Sequence, residues 1–211
     1  MWRFAPFIPF LQDLTRFELV DDIVVIDNDP SKRPRHPTAF LDPKVRLLTR
    51  PENIYVNPAW NLGVMCTRPG NEKICILNDD LIFDLRAFYR ADYLLNRFDT
   101  GVIGLAPGDH PEITKQPRLT DGIIDILPWN GEHLWGFGML MFLNKRTWKP
   151  IPDSLKMFYG DNWIFDSNRN AGRTNYILTN CFHYTPYSVT SNDFRNQFES
   201  VEREIYPTLR P

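Results

Sequence analysis

The amino-acid sequence predicts an α/β sandwich with a mostly parallel central sheet. Along the 211 residues, short apolar strand patterns alternate with segments in which apolar side chains recur at helical spacing. Two of the strand patterns end in acidic residues. Many of the predicted elements end at Gly, Pro, Asn or Asp, which are typical of turns. No internal repeat and no convincing domain boundary is present, so residues 1–211 are predicted to form a single domain.

The predicted strands are short apolar runs that end at turn-forming residues. The clearest is the run from Lys73 to Leu77, which leads directly into an Asn-Asp-Asp sequence. A second, from Ile23 to Ile26, leads into Asp-Asn-Asp. The complete set of predicted strands is residues 22–27, 45–49, 73–77, 102–105, 123–127, 138–143, 174–178 and 181–184.

The predicted helices combine helical spacing of apolar residues with recognisable end signals. Asp84 is placed to cap a helix over residues 84–98, and a helix over 162–170 would stop at Ala171-Gly172, a usual C-terminal signal. Further helices are predicted at residues 58–66 and 193–206 and at the aromatic start of the chain, where two prolines suit a first turn. Residues 106–122 are rich in Pro, Gly and Asp and are predicted to form a loop that acts as a lid.

Composition excludes several classes of protein. The formal net charge of −2 argues against a nucleic-acid partner, which usually requires a basic surface. No apolar run approaches the ~20 residues needed to span a bilayer, and the first residues lack a signal-peptide cleavage site. The three cysteines are widely spaced without a CxxC pair, which fits a reducing compartment. We therefore expect a cytoplasmic protein without a membrane span.

The two predicted strands that end in acidic residues are the main indication of function. Strands of an open α/β sheet carry ligand-binding residues at their carboxyl ends. Asp27-Asn28-Asp29 and Asn78-Asp79-Asp80 supply oxygen ligands there, and oxygen ligands suit a hard divalent cation such as Mg²⁺ or Mn²⁺. Each sequence alone is also typical of a polar turn. The presence of two acidic strand ends in one domain favours a metal-assisted site for a phosphorylated substrate.

The order of these motifs resembles that of GT-A fold glycosyltransferases, and the resemblance covers residues 22 to about 190. The fold implied is the GT-A, Rossmann-like α/β/α sandwich. The segments that carry the resemblance are Val24 to Asn28, Asn61-Leu62-Gly63, Ile76 to Asp80, Trp135 to Phe142, Tyr159 to Trp163 with Arg169 and Ala171-Gly172, and Phe182-His183-Tyr184 with Ser188 and Thr190. Among family members the chain looks most like the amino-terminal domain of large chlorella-virus glycosyltransferases. This implies a viral protein of the host cytoplasm and leaves open a longer multidomain chain.

The resemblance implies a role for each matching residue. Asp80 and His183 are the implied metal ligands, in the positions of the family's Asp-x-Asp (DXD) motif and late histidine, and Asp161 is the implied general base. The implied donor-binding residues are Asp27, Asn28, Asn61, Asn78, Asp79, Gly136 and Gly138. Two departures stand out: Asn78 replaces the first acid of the DXD motif, and no opening strand is evident before Asp27. A bound neutral histidine would favour Mn²⁺ over Mg²⁺.

The implied activity is metal-dependent transfer of a hexose or deoxyhexose from a UDP-sugar to a hydroxyl of a glycan or glycoprotein. Such a metal bridges the two phosphates and offsets the charge of the leaving nucleotide. Structural roles remain open for two residues. His183 also suits a hydrogen-bonded core residue, and Asp161 also suits a helix N-cap.

Two other functions remain open. In a haloacid dehalogenase-type phosphohydrolase, Asp27 would be a covalent nucleophile and Asp29 its partner acid. That interpretation needs a strand before Asp161, whereas residues 152–156 read as a loop. In a non-catalytic module that binds nucleotide sugars or glycans, Asn78 would mark the loss of turnover.

Overall fold

The computed structural model describes residues 4–33, 38–105, 123–129, 131–186 and 191–209. The predicted lid at residues 106–122 therefore lies outside the described residues, as do Ser188 and Thr190. The helices are α1 Phe7–Arg16, α2 Val56–Met65, α3 Arg86–Leu95, α4 Gly160–Asn170 and α5 Ser191–Leu209. The strands are β1 Ile23–Asp27, β2 Val45–Thr49, β3 Lys73–Leu77, β4 Ile82–Phe83, β5 Thr100–Leu105, β6 Asp125–Pro128, β7 Leu140–Asn144, β8 Thr174–Thr179 and β9 His183–Tyr184.

The central sheet has five strands in the order β3-β7-β5-β8-β6. Strands β3, β5 and β8 run in one direction, and β7 and β6 run against them, so among the described strands of this sheet β5-β8 is the parallel neighbouring pair. Strands β1 and β2 form a separate parallel pair, and β4 and β9 form a short antiparallel pair. The predicted α/β class is confirmed, with mixed pairing within the central sheet.

Side chains along each strand point alternately to the two faces of the sheet. Because both faces of this sheet are apolar, helices cover both of them. In β7, Leu140 and Phe142 point into a core shared with α1 and α3, whereas Met141 and Leu143 point into a core shared with α4. The buried face of α4 is dominated by Trp163, Ile164 and Phe165. These three layers place the amino end of α4 near the start of β7. None of the helices in the described ranges has the length and apolar character needed to cross a bilayer.

Most element boundaries differ from the sequence-based ones by a few residues. Helix α1 confirms the expected helix at the chain start, and it occupies the place where an opening strand would precede β1. The segment predicted as a strand from residue 138 begins instead with a short 3₁₀ turn, Phe137–Met139, and β7 starts at Leu140. The cause is local: Gly136 has a φ of 80°, a left-handed conformation that turns the chain before the strand.

Candidate functional site

The Asn78-Asp79-Asp80 sequence forms a tight turn at the end of β3. The N–H of Leu81 donates to the Asn78 carbonyl at 3.4 Å, which closes the turn. Burial, reinforced by the negative charge of Asp79, raises the pKa of Asp80 to about 6. The carboxylates of Asp79 and Asp80 thus repel each other in a partly desolvated turn. A divalent cation would relieve that repulsion, so their chemistry fits a metal site.

The second predicted metal ligand, His183, lies on β9. This strand pairs with β4, which follows the acidic turn directly, and places His183 opposite Phe83. The imidazole Nδ1 is 3.1 Å from the carbonyl oxygen of Cys181, and burial lowers the pKa of His183. A neutral ring whose Nδ1–H donates to a carbonyl presents Nε2 as its ligand atom, a usual arrangement for metal-binding histidines. The role of His183 as a metal ligand stays a prediction.

The described ranges contain no group of three or more His, Cys, Asp and Glu side chains arranged to hold a metal ion. The pair of predicted ligands is therefore not a complete protein cage. Mg²⁺ sites commonly use one or two carboxylates and take the remaining ligands from substrate phosphates and water. Asp80 and Asp79 fit that kind of incomplete site.

Asp27 and Asn28, at the end of β1, organise the neighbouring loops. The Asp27 side chain is fully buried; its Oδ1 accepts the N–H of Asp29 at 3.1 Å, and its Oδ2 is 3.6 Å from a guanidinium nitrogen of Arg33. The Asn28 amide donates to the carbonyl of Tyr55 at 3.3 Å, which joins this strand end to the start of α2. A fully buried carboxylate is poorly placed to attack a phosphate. Residues 152–159 also contain no strand, so the phosphohydrolase interpretation is not supported.

Asn61 has a structural contact in this conformation. Its amide N–H donates to the Ile151 carbonyl at 2.8 Å, and its amide oxygen accepts the Ile151 N–H at 2.9 Å. This paired contact fastens α2 to the segment before α4. A role of Asn61 in donor binding stays a prediction.

Gly138 brings the predicted donor side and the predicted base together. Its N–H donates to Asp161 Oδ2 at 3.2 Å, and a Cβ at Gly138 would lie only 2.6 Å from the Cβ of Asp161. The next residue, Met139, accepts the N–H of Asn78 at 3.1 Å. The 3₁₀ turn that follows Gly136 therefore connects the acidic turn to Asp161 through one backbone–backbone hydrogen bond and one hydrogen bond from the backbone to the Asp161 carboxylate.

Asp161 lies in the first turn of α4, but it is not the N-cap. The cap residue is Tyr159, which has a left-handed backbone with φ of 59°. The Asp161 side chain is 22% exposed and its Oδ1 accepts the N–H of Asn162 at 3.0 Å. Burial alone would raise the pKa of Asp161, but His133 and the neighbouring N–H groups outweigh it, so this pKa lies below its ordinary value. The carboxylate is therefore ionised at neutral pH.

His133 is a site residue to which the sequence had assigned no role. Its Nε2 lies 3.1 Å from Asp161 Oδ2, and its side chain is 12% exposed. The imidazole packs against the rings of Phe137 and Phe165, with centroid distances of 5.4 and 5.8 Å. These aromatic contacts fix the ring beside the carboxylate. No motif surrounds His133 in the sequence, so only the fold reveals the pairing.

Glu202 is the second residue that sequence reasoning missed. It lies on α5, is 1% exposed, and its carboxylate accepts the N–H groups of Lys156, Met157 and Phe158 at 2.6–3.3 Å. Three consecutive backbone donors on one carboxylate hold this loop in a single shape. Because the loop leads into α4, Glu202 supports the position of Asp161.

The fold can be compared with those of known proteins. No protein-family model matches the chain, and no curated protein matches its sequence. The chain is similar to the crystal structure of GalNAc-T7 with UDP, GalNAc and Mn²⁺, with a TM-score of 0.55 and 12% sequence identity. The match covers 79% of this chain and 38% of that one, so the chain spans well under half of its length. At this level of identity the likeness establishes a GT-A-type fold.

Proposed function

We propose that this protein is a metal-dependent glycosyltransferase that moves a hexose or deoxyhexose from a UDP-sugar to a hydroxyl of a glycan or glycoprotein. The observation that carries the proposal is the hydrogen-bonded connection from Asn78 through Met139 and Gly138 to Asp161. This connection supports a single site in which carboxylates after β3 would hold the metal and the carboxylate at the start of α4 would accept a proton. GalNAc-T7, which shares this fold, was crystallised with UDP and Mn²⁺.

The donor side is assigned to the carboxyl ends of β1 and β3 and to the start of β7. Asp80 and His183 would hold Mn²⁺ or Mg²⁺, with Asp79 close by, and the ion would stabilise the charge that develops on the departing diphosphate. Asn28, Asn61, Asn78, Asp79, Gly136 and Gly138 are proposed to form the surrounding donor pocket, and Asp27, which is fully buried, is proposed to support it by holding the N–H of Asp29. The amide of Asn78 retains a hydrogen bond to ribose in place of the carboxylate of a DXD motif.

The acceptor side is assigned to Asp161. Its ionised carboxylate accepts the proton of the acceptor hydroxyl as the new glycosidic bond forms, which corresponds to inversion at the anomeric carbon. In a retaining reaction the same carboxylate would orient the hydroxyl. His133 keeps Asp161 ionised and in place, and the close approach at Gly138 fixes its distance from the donor side.

The experiment that tests the proposal is a thermal-unfolding panel of UDP-, GDP- and dTDP-sugars, each with and without Mn²⁺. A ligand at 100 times its Kd stabilises the folded state by about 2.7 kcal/mol. For a chain of this size, such a gain raises Tm by roughly 5–10 °C. We expect this shift for a UDP-sugar with Mn²⁺ and little shift without the metal. Absence of stabilisation by every nucleotide sugar in the presence of Mn²⁺ or Mg²⁺ would contradict the proposal.

A non-catalytic nucleotide-sugar or glycan-binding module is the second candidate, favoured by Asn78 in place of an acid. The two candidates differ in turnover. Release of UDP in the presence of Mn²⁺, by transfer or by slow hydrolysis, supports the enzyme. Stabilisation by a UDP-sugar without any UDP release supports the binding module. A cytoplasmic location and a viral origin remain proposals from the sequence alone.

A further inference from the structure

A cleft of about 390 Å³ lies at the carboxyl end of α4, away from the proposed transferase site. Asp161 is in the first turn of this helix, whereas Ser167 in its last turn and Ala171, the C-cap residue, line the cleft. At a rise of about 1.5 Å per residue, Asp161 and Ala171 are about 15 Å apart along the helix axis. The cleft is therefore separate from the predicted metal and base.

Three cationic side chains line this cleft: Arg146, Lys149 and Arg173. In the part of the chain that the structure describes, no Asp or Glu carboxylate lies within 4.0 Å of any of their charged groups. Several other cationic side chains of the protein are paired with a carboxylate; the guanidinium of Arg46, for example, is 2.6 Å from the Asp22 carboxylate. Three uncompensated positive charges around one cleft attract an anion.

Aromatic rings hold two of these cations in position. The guanidinium carbon of Arg146 lies 5.4 Å from the centroid of the Phe98 ring, and Lys149 Nζ lies 5.0 Å from the Trp163 ring. Such contacts restrict long side chains that would otherwise move freely. The positive charge of the cleft is therefore partly preorganised.

A buried hydroxyl supplies an independent indication of a ligand. Ser167 is 9% exposed and lines the cleft, and its Oγ has no hydrogen-bond partner among the described residues. Buried hydroxyl groups are normally paired, because leaving one unpaired costs free energy. A hydroxyl donor beside three cations is a suitable partner for a phosphate oxygen.

We propose that this cleft is a second ligand site that binds a phosphate group, either as the free anion or as part of a small phosphorylated molecule. Its volume is within the range of small-molecule pockets. Arg146 and Arg173 would contribute guanidinium donors, Lys149 a point charge and Ser167 a neutral donor. The site is independent of the proposed sugar transfer, because it needs neither the metal nor Asp161.

The test is isothermal titration of the protein with inorganic phosphate, pyrophosphate and glucose 1-phosphate in EDTA, where a metal-dependent nucleotide site is silent. We expect saturable binding that weakens as salt is raised. The double variant Arg146→Gln/Lys149→Gln should bind at least tenfold more weakly. The matched control is Arg90→Gln, which removes an exposed arginine on α3 and should bind like the wild type. Tighter binding of glucose 1-phosphate than of phosphate would identify a phosphorylated molecule; equal binding would identify the free anion.

Ser167→Ala separates a ligand site from a merely structural hydroxyl. Since Oγ has no hydrogen-bond partner among the described residues, the unliganded variant should have a Tm equal to or above that of the wild type, while its phosphate affinity falls severalfold. Absence of saturable binding by the wild type, or wild-type affinity in the double variant, would overturn the proposal. Either result would mean that the cations only complement the carbonyl groups at the end of α4.

Discussion

His133 Nε2 and Asp161 Oδ2 lie 3.1 Å apart, and this contact helps to lower the pKa of the proposed base. The imidazole comes from a loop and the carboxylate from the first turn of α4. Aromatic packing on Phe137 and Phe165 holds the imidazole, and the N–H of Gly138 holds the carboxylate. The pair is thus built by the fold rather than by neighbouring residues.

Replacing His133 should change the pH dependence of transfer. Because His133 helps to lower the pKa of Asp161, His133→Ala should raise that pKa and move the acid limb of the kcat profile to higher pH. The stabilisation from an ionised Asp161 is present above the ordinary Asp pKa of about 4 and is lost as pH falls through the lowered value, so the variant should be less stable than the wild type near neutral pH and should lose less stability in acid. Glu132→Gln, an exposed neighbour, is the control; an unmoved acid limb would refute the role of His133.

Replacing Asp161 should separate binding from chemistry. Asp161→Asn keeps the size of the side chain but removes the proton acceptor, so kcat should fall by about 10²–10⁴-fold. Thermal stabilisation by a UDP-sugar with Mn²⁺ should stay close to that of the wild type, because Asp161 is not assigned to the metal. Undiminished UDP release by the variant would exclude Asp161 as the base.

Replacing Asp80 should stabilise the protein without metal while removing its response to metal. The pKa of Asp80 is raised to about 6, so its ionisation opposes folding increasingly as pH rises from about 4 through 6. In EDTA at pH 8, Asp80→Asn should therefore be more stable than the wild type by about 1–3 kcal/mol, a difference that disappears near pH 4. Urea unfolding at both pH values measures this.

The metal response of the same variant completes the test. With UDP and Mn²⁺, the wild type should gain stability and Asp80→Asn should not. Asp153→Asn, which changes an exposed carboxylate in the loop before α4, should behave like the wild type in every condition. Wild-type stabilisation of Asp80→Asn by UDP and Mn²⁺ would exclude Asp80 as a ligand.

Adding a methyl group at Gly138 should displace Asp161. A Cβ there would lie 2.6–2.8 Å from three atoms of the Asp161 side chain. Gly138→Ala should therefore cost about 1–3 kcal/mol of stability and reduce transfer at least tenfold. Gly63→Ala serves as the stability control, since its Cβ would meet nothing within 4 Å. Equal stability of the two variants would show that the contact is easily relaxed.

Removing the Glu202 carboxylate should loosen the loop before α4. Glu202→Ala leaves the N–H groups of Lys156, Met157 and Phe158 without their acceptor, so unfolding free energy should fall by about 3 kcal/mol or more. Amide hydrogen exchange of residues 156–158 should accelerate, and transfer should weaken with it. Glu204→Gln, which changes an exposed residue on the same helix, should alter neither the unfolding free energy nor the hydrogen exchange. If the amides of residues 156–158 remain protected in Glu202→Ala, the loop does not depend on α5.

Local patterns predicted the elements well, because apolar runs and end signals are properties of neighbouring residues. Strands β2 and β3 were predicted at the residues where they occur, and α4 within two residues. Strand order was not predictable, since an apolar run such as that of β7 does not specify its partners. Only the fold places β7 between β3 and β5 and so brings Gly138 to Asp161.

In the candidate site, too, local features could be predicted from the sequence and contacts between distant residues could not. The acidic turn at Asp80 and the helix start at Asp161 carry recognisable sequence patterns. His133 and Glu202 do not, because each acts on a group that is far away along the chain. A lone histidine in a loop and one glutamate among several on a helix have no periodicity or spacing that would single them out.

The pairing of β4 with β9 also bears on how the protein matures. Phe83 meets His183 across this short ladder, although a hundred positions separate them along the polypeptide. During translation the acidic turn emerges long before the imidazole is made, so a nascent chain cannot complete the proposed metal centre. The proposed metal centre can therefore form only after β9 has been synthesised and has paired with β4.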